Sequence, residues 1–197
     1  MSFSIILAVV AGIISGLFIF PDTFAVHIGL IIDIGLCLLL FFVGMDIGRN
    51  KEILNQIKSN GYKILLIPCG VALGSIIGSI LGGFALGLPI NESSAIGAGF
   101  GWYSLSAIEL SKYSAETGAL AFITNVCREV FALVSIPYIA KHIGRFEAIA
   151  PAGATAMDTS LPVIAKATDA NTAIVSFITG VVLSTLVPIL VPLLISI

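Results

Sequence analysis

The sequence is poor in charge, in histidine and in cysteine. Of its 197 residues only 10% are Asp, Glu, Lys or Arg, and 58% are hydrophobic. A soluble domain carries roughly 25% charged residues, so this scarcity, with a mean hydropathy of +1.13, excludes an ordinary soluble fold. The few Lys and Arg never cluster with aromatics, which excludes a nucleic-acid surface. Cys37, Cys69 and Cys127 stand singly in apolar runs. Without metal or redox spacing they read as packing residues. No P-loop, nucleophile–base set or zinc spacing is present, so no enzyme, cofactor or metal is expected. The start, Met1-Ser-Phe-Ser, lacks positive charge, and no small-residue cleavage site follows. The first apolar run is therefore expected to remain as a membrane helix.

What is there suits lipid. A span needs about 20 mostly apolar residues. Stretches 3–20 and 28–48 meet this, the second holding Asp33 and Asp46 near its two ends. The most polar stretch, 49–63, carries Arg49, Lys51, Lys58 and Lys63. Positive loops face the cytoplasm, which puts the N-terminus inside. A third span, 64–88, carries Gly70, Gly74, Gly78 and Gly82 with Ser75 and Ser79 beside them. Such a ridge lets another helix approach closely, whether of this chain or of a neighbour. Residues 1–88 thus read as a three-helix membrane block.

Residues 89–197 read as two broken-segment-plus-helix units, about 93–140 and 148–195. In the first, 93–110 is apolar but interrupted by Gly97, Gly99 and Gly101, then Trp102, Tyr103, Ser104 and Ser106. The span 118–140 follows, with Asn125, Arg128 and Glu129 in its middle. In the second, 148–165 is interrupted around 153–162 by Thr155, Asp158, Thr159, Ser160 and Pro162, and the last span is 170–195. Phe122-Ile-Thr124 recurs as Phe177-Ile-Thr179, offset by 55, and Gly97-Ala98 with Leu105 matches Gly153-Ala154 with Leu161, offset by 56. If both broken segments turn back rather than cross, Lys141 and Arg145 fall in the cytoplasm, while Lys112 and the C-terminus lie outside. The expected fold is an all-α integral membrane protein. It has about five transmembrane helices plus two re-entrant or broken helical segments in an inverted-repeat arrangement, with a polar site between the breaks.

A carboxylate at membrane depth is costly unless paired or hydrated, so Glu129 and Asp158 are the candidates to bind a substrate or ion. Tyr103, Ser104, Ser106, Thr155, Thr159 and Ser160 would line the same chamber. Asn125 shares a helix face with Arg128 and Glu129. Arg128 and Glu129, adjacent in sequence, point about 100° apart. That leaves Arg128 for Asp158 or for backbone carbonyls, and Glu129 open to a cation or proton. The competing readings are a loop at headgroup level for 153–162 and charges that merely lock helices together. Asp33, Asp46 and Glu109 are secondary candidates, each near the end of a segment.

Three stretches carry a family likeness: Gly99-Phe-Gly-Trp-Tyr-Ser-Leu-Ser106, Asn125-x-x-Arg128-Glu129 and Gly153-Ala-Thr-x-Met-Asp158-x-x-Leu-Pro162. They resemble the signatures of the LysO-type lysine exporters, in the C-terminal part of the longer members, and the likeness runs from about Ile31 to the C-terminus. The resemblance implies export of L-lysine and its analogue thialysine across a bacterial inner membrane; with the two acids it is read as proton- or cation-coupled antiport, a proton or Na+ being the coupling ion. It maps the family's intramembrane acid onto Glu129 and the acid of its Met-Asp motif onto Asp158. Longer members carry a further N-terminal block resembling 3–88, which implies a homo-oligomer, or a hetero-oligomer with a small three-helix membrane protein. The alternatives are transport of another small metabolite or organic anion, and a membrane subunit that scaffolds a transporting partner.

Overall fold

The computed structural model describes residues 64–197, with a few isolated positions before them. Residues 64–197 belong to the second of two compact units, Asn50–Ile197. The elements are α1 (Leu66–Leu86), α2 (Ile90–Gly97), α3 (Tyr103–Ser111), α4 (Ala115–His142), α5 (Leu161–Ala167) and α6 (Ala170–Ile195). Two 3-10 turns, Glu147–Ile149 and Gly153–Met157, stand between α4 and α5. Most of the spans expected at 3–20 and 28–48, the loop 49–63, and Asp33 and Asp46 lie outside the described residues.

The chain is an all-α membrane protein. Three described helices are long and apolar enough to cross a membrane: Leu66–Leu86, Ala115–His142 and Asn171–Ile195. They coincide with the last three spans read from sequence. Local chemistry sets their ends. Gly87 adopts a left-handed conformation, φ 74°, and stops α1, and Pro89 then turns the chain into α2 in an extended conformation. Ser114 caps α4 by accepting the Thr117 N–H. Glu116 in its first turn and Lys141 and His142 in its last suit the helix dipole. Asp169 caps α6, accepting the Thr172 N–H at 2.9 Å and Arg145 at 2.6 Å. Those bonds, Thr172 first, hold the Asp169 carboxyl below its ordinary range.

Side-chain bonds fix the relative sense of the helices. Thr117, at the start of α4, donates to Glu92, at the start of α2. Asn91, also at the start of α2, reaches the Ile195 carbonyl at the end of α6. Arg145, just past the end of α4, pairs with Asp169, just before α6. The start of α4 therefore lies at the same end of the bundle as the finish of α6, and the two helices run in opposite senses. The same bonds place each break. The 90–111 segment begins beside the start of α4 and hands the chain back there. The 144–169 segment leaves from the end of α4 and returns to it.

α6 is the innermost of the long helices, burying Val175, Ile178, Val181, Leu183, Val187 and Val191. α1 and α4 leave Leu73, Ile77, Leu81, Phe84, Ile123, Val130, Phe131 and Val134 exposed, an apolar coat fit for lipid. Cys69 and Cys127, expected to pack inside, are exposed and free. A thiol on a lipid-facing surface costs little, so an apolar run around a cysteine does not say which way it points.

Candidate functional site

The two breaks meet tip to tip. The Phe100 carbonyl accepts the Ala154 N–H at 2.8 Å, joining two segments that enter from opposite ends of the bundle. The geometry demands unusual backbone: Phe100 has φ 48°, Gly101 96° and Gly153 61°. A side chain at Gly153 would run into the Phe100 carbonyl itself. Positive φ costs a residue such as Phe of order 1–3 kcal/mol, and fully buried Phe100 holds it only because its surroundings are fixed.

Asn125 does much of the fixing. Its carbonyl oxygen accepts the Gly101 N–H at 2.7 Å. Its amide donates to the Ala121 carbonyl at 2.9 Å, Ser106 Oγ at 3.3 Å and the Ile96 carbonyl at 3.4 Å. Ser106 is fully buried and donates to the Trp102 carbonyl. Both residues, candidates for contact with a ligand, are spent bracing the first tip. The second tip carries a similar brace, in which Thr155 and Ser160 share a hydroxyl–hydroxyl bond at 2.9 Å and Thr155 also donates to the Ala152 carbonyl.

The sequence offsets recur as contacts. Gly101 corresponds to Met157 and Asn125 to Gly180. As Asn125 on α4 holds the Gly101 N–H, so Gly180 on α6 lies against the Met157 N–H, with no room for a side chain.

Arg128 is engaged by neutral groups. Nε donates to the Pro151 carbonyl at 3.0 Å and Nη2 to the Ala150 carbonyl at 3.3 Å, both at the second tip. Nη1 donates to Ser75 Oγ at 2.5 Å, and Ser75 in turn donates to the Gly97 carbonyl at 2.8 Å. One guanidinium thus ties the second tip to α1 and, through Ser75, to the first. It forms no ion pair with Asp158. Of the two partners the sequence left open, the carbonyls are the ones used, because the bend between the two 3-10 turns presents the Ala150 and Pro151 carbonyls to Arg128.

Glu129 and Asp158 meet through Thr159. Thr159 Oγ1 lies 2.6 Å from Glu129 Oε1 and 3.3 Å from Asp158 Oδ1, and the Thr159 N–H also bonds that Asp158 oxygen at 2.5 Å. Tyr103, stacked edge-on against Phe122 at 5.5 Å, stands within electrostatic reach of both acids. It occupies in the first unit the position that Thr159 occupies in the second. Among the described residues no basic side chain pairs with either acid, and no group of three His, Cys, Asp or Glu could hold a metal. Two acids that share one hydroxyl, without a basic partner among the described residues, have the chemistry to accept a cation or a proton.

The remaining candidates stand apart. Glu109 pairs with Lys112 at 3.2 Å on the surface at the end of α3. Ser104 is exposed on α3. The glycine ridge of α1 meets nothing at Gly70, Gly74 or Gly78 among the described residues. It lines an open groove of about 680 Å³ whose floor includes Arg128, Asn125 and Pro151. Sequence reasoning missed Ser75, Phe100 and Gly180 as parts of the tip architecture. For Ser75 a signal existed, since Ser75 and Ser79 lie one turn apart on the face that bonds α2.

Paired broken helices meeting at a junction are a feature of broken-helix membrane transport proteins. The chain belongs to the lysine exporter LysO family, whose sequence profile matches residues 6–195. It is 38% identical over 157 residues to Lysine exporter LysO of Escherichia coli (strain K12), covering 79% of this chain and 52% of that protein. It is 35% identical over 153 residues to a protein of Haemophilus influenzae named "Putative lysine exporter", covering 77% of each. The chain thus spans about half the length of its E. coli relative. No solved structure matches it.

Proposed function

We propose that this chain exports L-lysine, and close analogues such as thialysine, across a bacterial inner membrane in exchange for a proton or another cation. The observation that carries this reading is the Glu129–Thr159–Asp158 constellation beside the tip junction, two acids that no basic side chain pairs among the described residues. Family membership supplies the substrate class. Lysine's ammonium binds the ionised acids, and protonation on the opposite side releases it. The bonds at each end of α4 support two inverted units, 93–140 and 148–195, each a re-entrant segment followed by a long helix; the block at 1–88 stays a proposal read from the sequence. Transport of an organic anion through Arg128 is disfavoured, because its guanidinium is taken up by Ala150, Pro151 and Ser75. The test is efflux of labelled lysine from cells expressing the chain, against a panel of organic anions. Lysine should leave faster than in cells lacking it, and export of anions alone would contradict the reading.

Orientation follows from charge. Lys141, Arg145 and Lys166 collect at one end of the bundle, and Lys112 at the other beside Glu92, Glu109 and Glu116. The positive-inside rule puts the first end in the cytoplasm, with the N-terminus inside and the C-terminus outside. A cysteine at position 145 in a cysteine-free chain should react with membrane-impermeant reagent only in inverted vesicles; labelling in intact cells would reverse the assignment. The ridge on α1, which meets nothing at Gly70, Gly74 or Gly78 among the described residues, supports assembly with a second copy or a small three-helix partner. A monomeric mass in detergent with full export would contradict that.

A further inference from the structure

We propose that Glu129, Thr159 and Asp158 form a single three-acceptor seat for one primary ammonium, in which Thr159 sets the specificity. The inference deepens the proposed function and rests on its reading of these acids as a cation site. Its ground is the shared hydroxyl. Both carboxylates lie within hydrogen-bonding reach of Thr159 Oγ1, so they are near enough to each other to grip the same nitrogen rather than the two ends of a long substrate. A hydroxyl has one proton to give and two lone pairs to offer. Thr159 can satisfy only one acid at a time, and the nearer one is Glu129. Asp158 Oδ1 already accepts the Thr159 N–H, so its other oxygen is left to the ligand, and the hydroxyl's free lone pair is a third acceptor.

Three converging acceptors match an –NH₃⁺ group, which is compact and carries three donors. A guanidinium presents its donors in a planar fork that suits one carboxylate side-on, and three acceptors drawn from a helix and a facing loop do not offer that plane. The supports of the seat belong to different elements. Glu129 is fixed on α4, while Asp158 and Thr159 follow the second 3-10 turn, held by the Thr155–Ser160 brace and the Arg128 clamp. Tyr103 on α3 stands within electrostatic reach of both acids. Every methyl group added to the nitrogen removes one donor and crowds one acceptor.

The experiment uses the full chain in lipid nanodiscs. Its probe is n-butylammonium, measured by calorimetry beside its N-methyl, N,N-dimethyl and N,N,N-trimethyl derivatives. Transport of lysine and Nε-methylated lysines is followed in proteoliposomes. Affinity should fall roughly tenfold for each methyl, the lower range for a hydrogen bond to a charged group. Thr159→Val should weaken n-butylammonium about tenfold and flatten the series, while Thr159→Ser keeps both affinity and gradation. In transport, Thr159→Val should raise KM for lysine with little change in kcat. A flat methyl series in the wild-type chain overturns the seat, and that arm needs no variant to fold. So does a Thr159→Val chain with unchanged affinity. A graded series in a chain that carries no lysine upholds the seat and sinks the lysine reading. Lysine transport with a flat series does the reverse.

Discussion

Glu129→Gln should abolish lysine efflux, by roughly a hundredfold or more, while the protein still inserts and keeps its fold. Gln preserves the shape of the side chain and can still accept from Thr159 Oγ1, so the link between α4 and the second tip survives. What disappears is the charge. Losing a hydrogen bond to a charged group costs about 1.5–3 kcal/mol, up to roughly a hundredfold in binding. In the proposed exchange, Gln also cannot take up the proton that would displace the ammonium. Asp158→Asn should act in the same direction. Initial rates of labelled lysine efflux, with membrane quantity and melting temperature as controls, decide the matter. Normal efflux by Glu129→Gln would remove this residue from the mechanism, and loss of insertion would make it a structural acid instead.

The second large effect should come from a residue that touches no ligand. Gly153→Val places a branched side chain against the Phe100 carbonyl at φ 61°, where a β-branched residue is a conformational outlier. Neither obstacle can move cheaply, since one is backbone and the other is the dihedral itself. The tip-to-tip bond from Ala154 to Phe100 should break, and with it the placement of Asp158 opposite Glu129. Export should be lost and the melting temperature lowered. Gly144→Ala is the matched control. The atoms nearest its added methyl belong to the flexible Glu147 side chain, and it should retain most activity. Equal behaviour of the two variants, by transport and by thermal melting, would show that the junction is dispensable.

The parts legible in the sequence were those written in local pattern. Apolar length gave the three described spans. Glycine followed by polar residues gave the two breaks, because a lipid-facing helix tolerates neither the backbone freedom nor the unsatisfied groups. The acids stood out by cost. What the sequence hid was partnership across the fold. Nothing near Asn125 says that its amide is consumed by Gly101 and Ile96, since those partners are 24 and 29 residues away. Arg128 and Glu129 are neighbours with opposite fates, one spent on carbonyls and Ser75, the other turned to Thr159. Helical geometry separated them by direction but could not name what each would meet. Thr159 was one polar residue among six at the breaks, and only the tertiary structure sets it between two acids. Exposed Cys69 and Cys127 show the converse, that in a membrane chain an apolar neighbourhood does not distinguish the inside of a bundle from its lipid face.

The most direct measurement is an experimental structure of the chain with lysine bound. The lysine ammonium should lie within hydrogen-bonding distance of Glu129, Thr159 and Asp158, beside the Phe100–Ala154 junction. Lysine seated instead in the groove along Gly70, Gly74 and Gly78, with its carboxylate on Arg128 and the two acids unoccupied, would contradict the account.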